Sequence, residues 1–476
     1  MVGQVKLGGD RGVSRHVAVL ASVCVTMAVA TVTNAQPDAA PPRHSPPVPA
    51  IPFGDPVPLE RLVAFALAQN PEIQATRYRA SALAARVPQA TSLGDPQLIT
   101  TTFLDQIETA AGVQDLIVNV SQKFPWFGKL DLRGQVAQQA ALAAHAEVAA
   151  TELAVVQRVK HAYFELYASQ ASTNEVKQLQ EAINDVVAVV RSQYEAAAAE
   201  VGLESVLQAQ IELSKLRIRL AEFESNRRQS QARLAQLLHL PPATPLEATH
   251  RIDSVDVART PDWLMRLAET CQPTLNARRR EVARDRSAAA LASLNDCPDV
   301  TVGFSWYAIG SNGISPVRTG DDAYSVGVGI NVPIWRKRLD AQQREAECRA
   351  AASARRYMAA QDEVFADIHA IWAEFQQQHE VLETLESEIL PRAQESLQLS
   401  MQAYRVGRIG FAELIDAYRI LLEYRVDLHQ RQAAREKAIA SLERAVGCAL
   451  SDGRLTLPRE KIPAPVPPPR PPRPTP

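Results

Sequence analysis

Two segments of this chain, 129–196 and 337–403, each run for over sixty residues with Pro391 as their one proline. Their apolar residues recur at steps of three and four. The first carries Val156, Val159, Tyr163 and Leu166, then Val176, Leu179, Ile183, Val186, Val190 and Tyr194; the second carries Ile368, Ile371, Phe375, Leu382, Leu385 and Ile389. That spacing predicts coiled-coil-like helices. A helix of about 67 residues is roughly 100 Å long at 1.5 Å per residue. Such a rod can bury its stripe only against other rods. Breaks near Gly202 and at Gly407–Gly410 supply them, because each is followed by a second predicted helix, 203–239 and 411–446, that returns along the first. Abundant alanine, 20 glycines and 5% aromatics suit the same reading.

The two rods belong to a duplication. Ala66–Pro71 corresponds to Leu267–Pro273 at a displacement near 202. Phe124-Pro125-Trp126-Phe127-Gly128-Lys129 corresponds to Val332-Pro333-Ile334-Trp335-Arg336-Lys337, and His161-Ala162-Tyr163-Phe164 to His369-Ala370-Ile371-Trp372, both at 208. Copies of this length exceed solenoid repeats and read as one domain duplicated, 58–250 and 251–452. Each copy opens with a predicted helix, 58–93 or 260–295, closed by Asp95-Pro96 or Cys297-Pro298.

Strand-like segments then precede each long helix. Residues 324–332 alternate Tyr324, Val326, Val328, Ile330 and Val332 with Ser325, Gly327, Gly329 and Asn331; residues 300–307 and 116–122 alternate likewise, and 97–104 only weakly. Period-two alternation gives one apolar face and one small polar face. A soluble sheet would pack the apolar face on a core, whereas a membrane barrel would turn it to lipid. Trp126, Trp306, Tyr307 and Tyr324 suit an interfacial girdle or an ordinary core. Four strands cannot close a barrel, since the smallest have about eight, and an open edge in lipid leaves backbone groups unpaired. Membrane-spanning strands would therefore require several copies: two give eight strands and a filled interior, three give twelve and room for a channel.

The flanks carry other signals. Lys6, Arg11 and Arg15, the apolar run 17–32 and Thr33-Asn34-Ala35 read as a secretory signal, 1–35. Val23 before Cys24 disfavours lipidation there. Residues 36–57 and 453–476 are proline-rich linker and tail. The five cysteines (Cys24, Cys271, Cys297, Cys348, Cys448) are scattered and suggest neither a metal site nor a disulfide framework. Charge is balanced, 51 Lys+Arg against 53 Asp+Glu, which argues against a nucleic-acid partner. No nucleophile elbow, P-loop or zinc spacing is present, so no enzymatic chemistry and no cofactor is expected. His161 and His369, at equivalent positions, read as packing or surface residues.

Three motifs in this order resemble the TolC-like outer-membrane efflux channels: Ala66-Leu67-Ala68-Gln69-Asn70-Pro71-Glu72; Ser121-Gln122-Lys123-Phe124-Pro125-Trp126-Phe127-Gly128-Lys129-Leu130; and Tyr404-x-x-Gly407 followed by Glu413-Leu414-Ile415-Asp416-Ala417. The resemblance spans about 58–452, and the second motif is similar to sequences of the heavy-metal-efflux branch. It implies a mainly α protein with a small β part. Four strands per chain would enter a homotrimeric twelve-strand β-barrel in outer-membrane lipid, continued by a periplasmic α-barrel. It further implies a periplasmic adaptor (membrane fusion) protein and an inner-membrane pump, often of the resistance-nodulation-division type. A periplasmic coiled-coil structural or adaptor protein is the competing expectation; two hairpins and few strands argue against it.

The resemblance also assigns roles. Glu413 and Asp416, three residues apart and so on one helix face, correspond to carboxylates of a pore-entrance ring. Tyr404 corresponds to a latch tyrosine. The family's latch arginine falls on Ile409, with Arg408 beside it, and its acidic partner falls on Ser205, so the latch pairing is not reproduced here. Val201-Gly202-Leu203 and Gly407, Ile409, Gly410 and Phe411 correspond to hairpin tips that meet the adaptor; glycine there also simply permits a tight turn.

Overall fold

The computed structural model describes residues 56–195, 203–249, 260–311, 313–314 and 319–450. The expected signal, nearly all of the linker, the tail, and Val201 and Gly202 lie outside the described residues.

The first half comprises α1 (Leu59–Gln69), α2 (Pro71–Ala84), α3 (Arg86–Thr91), β1 (Gln97–Thr109), β2 (Gly112–Phe124), α4 (Lys129–Glu195) and α5 (Leu203–Leu237). The second comprises α6 (Pro261–Cys271), α7 (Pro273–Ser293), a 3₁₀ turn (Leu294–Asp296), β3 (Val300–Ile309), β4 (Ala323–Ile330), α8 (Arg336–Thr384), a π turn (Leu385–Ile389), α9 (Leu390–Arg405) and α10 (Phe411–Val446). The long helices and all four strands lie where the sequence places them.

Two expectations need correction. The opening helices 58–93 and 260–295 are not continuous, because Pro71 and Pro273 have no N–H and force the residue before them out of the helical region. Asn70 and Gln272 are accordingly extended, with ψ of 121° and 114°. Each turns this break into a cap. Asn70 Oδ1 accepts from the Glu72 N–H at 2.9 Å, and Gln272 Oε1 from the Thr274 N–H at 3.1 Å. Their amide groups reach across to the ends of the return helices: Asn70 Nδ2 donates to the Leu237 carbonyl at 3.4 Å, and Gln272 Nε2 to the Ala445 carbonyl at 2.9 Å. The second correction concerns Pro391. It does not lie inside one uniform helix, since the five-residue π turn just before it takes up the missing hydrogen bond and the ring's bulk.

Equivalent residues build equivalent cores. Leu62, Phe65 and Ala66 of α1 pack with Leu234 and Leu238 beside α4 residues Val155, Val159, Tyr163 and Leu166. Leu264, Leu267 and Ala268 of α6 pack in the same way with Leu442 and Val446 beside α8 residues Ile368 and Phe375. On α4 Val155, rather than Val156, is the buried residue of that turn. On α8 and into the π turn, Ile368, half-buried Ile371, Phe375, Gln378, Leu382 and Leu385 follow unbroken three–four spacing; the buried polar member, Gln378, takes a hydrogen bond from Arg431. Farther along, α10 uses two faces. Phe411, Ile415, Leu422 and Val426 meet α4 and α5, while Leu414, Tyr418 and Leu421 meet α9. The helices thus lie side by side, α10 between α4 and the α8–α9 rod.

Candidate functional site: the sheet wall and the hairpin tip

The four strands form one antiparallel sheet in the order β1-β2-β3-β4, so the two halves join through β2 and β3. Register matches like with like. Leu98 lies opposite Val120, Val120 opposite Phe304 and Phe304 opposite Val326; Val302 pairs with Val328, and Trp306 with Tyr324. On the other face Asn119 lies opposite Ser305 and Ser305 opposite Ser325, with Gly303 opposite Gly327 and Thr301 opposite Gly329. The bulge between Thr102 and Ile107 and the threonines at 100 and 102 explain the weak alternation of β1.

Nothing among the described residues covers the apolar face: Val326 is 75% exposed, Val328 70% and Ile330 62%. Phe304 stacks on Tyr324 with ring centroids 6.1 Å apart, and Trp306 Nε1 donates to Asp322 at 3.0 Å near the strand end. A continuous exposed face of this kind marks contact with lipid or another chain. β1 and β4 each have one strand neighbour among the described residues, which leaves two open edges.

Where strands meet helices, a buried ion pair links the halves. Lys129, at the start of α4, places Nζ 2.7 Å from Asp299 Oδ1 and 2.9 Å from the Cys297 carbonyl oxygen. The Trp126 N–H donates to the same carboxylate at 3.1 Å, and the exposed Lys123 adds a contact at 3.1 Å. Asn331 accepts the Asp299 N–H. Burial works to raise the Asp299 pKa, but the bonds from Lys129, Trp126 and Lys123 outweigh it and hold the carboxyl at about 2. The lysine that closes the Phe124–Lys129 motif therefore anchors the wall to the rods. Its counterpart Lys337 is exposed. Sequence reasoning missed Asp299, whose only signal was its place beside Cys297-Pro298. It also missed a buried charged row between α4 and α10. There Lys160 pairs with Glu443, His161 Nε2 lies 3.0 Å from Ser441 Oγ, and burial pushes Glu436 up to about 7 against the nearby Arg435 and Lys160.

At the far end of the second rod pair, Gly407 takes a left-handed φ of 70° and closes α9; Gly410 starts α10. Glu413 and Asp416 are both exposed, opposite the buried Leu414 and Ile415. Glu413 sits in the first helical turn, where a carboxylate also offsets the unpaired backbone N–H groups. Asp416 pairs with Arg419 one turn on. Tyr404 is half-buried edge-on against Phe411, ring centroids 6.4 Å apart, and burial raises its phenol pKa. Phe411, expected among the docking residues of the tip, is a core residue at 4% exposure. The exposed tip comprises Gly407, Arg408 and Gly410, with Ile409 half-buried. Leu203 begins α5, and its side chain is outside the described residues.

The model of the outer membrane efflux protein family matches residues 62–239 and 264–448. This chain belongs to that family. The efflux protein matches no curated protein sequence significantly. Among solved structures, its fold is similar to the outer membrane protein VceC from Vibrio cholerae, with a TM-score of 0.67 and 20% identity over 82% of this chain and 96% of that one. It is similar to CusC, whose crystal structures concern folding and transmembrane channel formation, with a TM-score of 0.70 and 19% identity over 82% and 92%. The open-state MtrE outer membrane channel of Neisseria gonorrhoeae gives 0.65 and 17% over 87% and 99%. The efflux protein is thus an outer-membrane protein with the TolC-like fold of these structures.

Proposed function

We propose that three copies of this chain form one export duct, with twelve strands closed into a barrel through the β1 and β4 edges and the rods bundled below it. The observation that carries this reading is the exposed Val326–Val328–Ile330 face beside two open edges, because lipid accepts the apolar face and only pairing satisfies the edges. A second unpartnered stripe supports it on the helical side: Leu207, Ile211 and Ile218 of α5, at coiled-coil spacing, are exposed at 50%, 53% and 63%. The repeats 58–250 and 251–452 each contribute one hairpin of strands and one of helices. The tip residues Gly407, Arg408, Ile409 and Gly410, with Val201-Gly202-Leu203 of the first hairpin, meet a periplasmic adaptor, which couples the duct to an inner-membrane pump of the resistance-nodulation-division type. Metal cations are the cargo toward which the Phe124–Lys129 motif points.

In this reading Glu413 and Asp416 ring the periplasmic entrance, six carboxylates in a threefold tube. Arg419 offsets Asp416, so Glu413 carries more of the field. In planar bilayers Glu413→Ala is expected to lower cation preference severalfold, and Asp416→Ala less. Equal selectivity in wild type and both variants would remove these residues from the gate.

A further inference from the structure

We propose that Cys271 and Cys448 form a disulfide that ties the exit of α10 to the end of α6. The two backbones lie almost in contact there. Gly447 has φ +94°, and a Cβ on it would fall 2.7 Å from the Cys271 carbonyl oxygen and 2.6 Å from Gln272 Cα. Only glycine allows residue 447 to approach so closely. Gln272 holds the approach by donating to the Arg444 and Ala445 carbonyls at 3.0 and 2.9 Å. Both cysteines are half-buried at the margin of one apolar core, with Leu264, Leu267, Leu442 and Val446, and Cys271 adds to the upward push on the Cys448 thiol pKa. A disulfide needs Cα atoms about 4.4–6.8 Å apart, and the close contact of residue 447 with the backbone of residues 271 and 272 places the two cysteines on either side of it. Both thiols are free in this structure, and a periplasmic extension lies in a compartment where disulfides form and persist. Cys297 is placed elsewhere, its carbonyl bound to Lys129, and Cys348 is exposed on α8.

Formation needs an oxidant, here a disulfide-carrying thiol oxidase of that compartment. The Cys271 thiolate attacks one sulfur of the oxidase disulfide, forming a mixed disulfide and releasing one oxidase thiol. Cys448 sulfur then displaces the second oxidase thiolate from Cys271. Both cysteine protons pass to the departing oxidase sulfurs, so two thiols are oxidised and one disulfide is reduced. Burial, reinforced by Cys271 and Glu443, pushes the Cys448 thiol up to about 12, which makes it the slow partner and assigns the first attack to Cys271. The link would close a loop of roughly 180 residues, and a cross-link over a long loop restricts the unfolded chain more than one over a short loop. It would also fix the point from which the proline-rich tail departs.

The test is thiol alkylation of the full-length protein taken from the outer-membrane fraction and denatured without reductant. Cys297 and Cys348 are expected to label at once, and Cys271 and Cys448 only after reduction. Proteolysis of the unreduced protein should give one linked peptide pair containing both, which Cys448→Ser abolishes and Cys348→Ser leaves intact. Full labelling of Cys271 and Cys448 without reductant would overturn the proposal. So would a linked pair joining Cys271 to Cys297 or Cys348.

Discussion

Lys129→Ala is expected to cost about 3–5 kcal/mol of stability, the usual penalty for stranding one charge of a buried pair. Lys129 and Asp299 side chains are 5% and 10% exposed, so water cannot replace the missing partner. The carboxylate would keep the Trp126 N–H and the contact from the exposed Lys123, and the latter contributes little. A Lys129→Met, Asp299→Asn double variant should regain much of the loss, because neither group then carries a buried charge. Thermal melting followed by helical circular dichroism compares the three. The pair also sets a pH window. Asp299 has its pKa lowered from 3.8 to about 2, so its stabilisation is complete above the unfolded value. It amounts to about 2 kcal/mol and is lost as pH falls from about 4 through about 2. A Lys129→Ala protein within about 1 kcal/mol of wild type would mean that the junction is wet and not an anchor.

The second large effect concerns the sheet. Val328→Arg puts a charge on the apolar face opposite Val302 and is expected to cost about 2–4 kcal/mol if that face meets mid-membrane lipid. Ser325→Lys, on the face shared with Ser305, should be tolerated, since in the proposed barrel that face lines water. Recovery of unheated, fast-migrating protein from the outer-membrane fraction reads both. The expected pattern is severe loss for Val328→Arg and near-normal recovery for Ser325→Lys. Equal recovery of the two would reverse or erase the assignment of faces.

Much of this was legible in the chain because long-range order repeats a local pattern. The three–four spacing of α4 and α8, the alternation of β3 and β4, and Gly407 as a turn each follow from residues close in sequence. What escaped depended on partners far along the chain. Asn70-Pro71 and Gln272-Pro273 were visible as repeat marks, yet their role as caps on Leu237 and Ala445 requires the return helices in place. Lys129 and Asp299 lie 170 residues apart, and no periodicity couples them. Cys271 and Cys448 looked scattered for the same reason. At the tip, the resemblance placed Phe411 among the docking residues, but helix phase turns it inward with Ile415, Leu422 and Val426. Glu413 and Asp416 came from resemblance, and the structure adds Arg419 beside the latter.

The central claim is that one chain supplies a third of a closed barrel. The most direct measurement is the mass of the detergent-extracted, unheated assembly, followed by the same sample after boiling. Three times the mass of the mature chain is expected from the outer-membrane fraction, collapsing to a single chain on heating. A folded monomer or dimer, or recovery of the folded protein as a soluble periplasmic species, would contradict it.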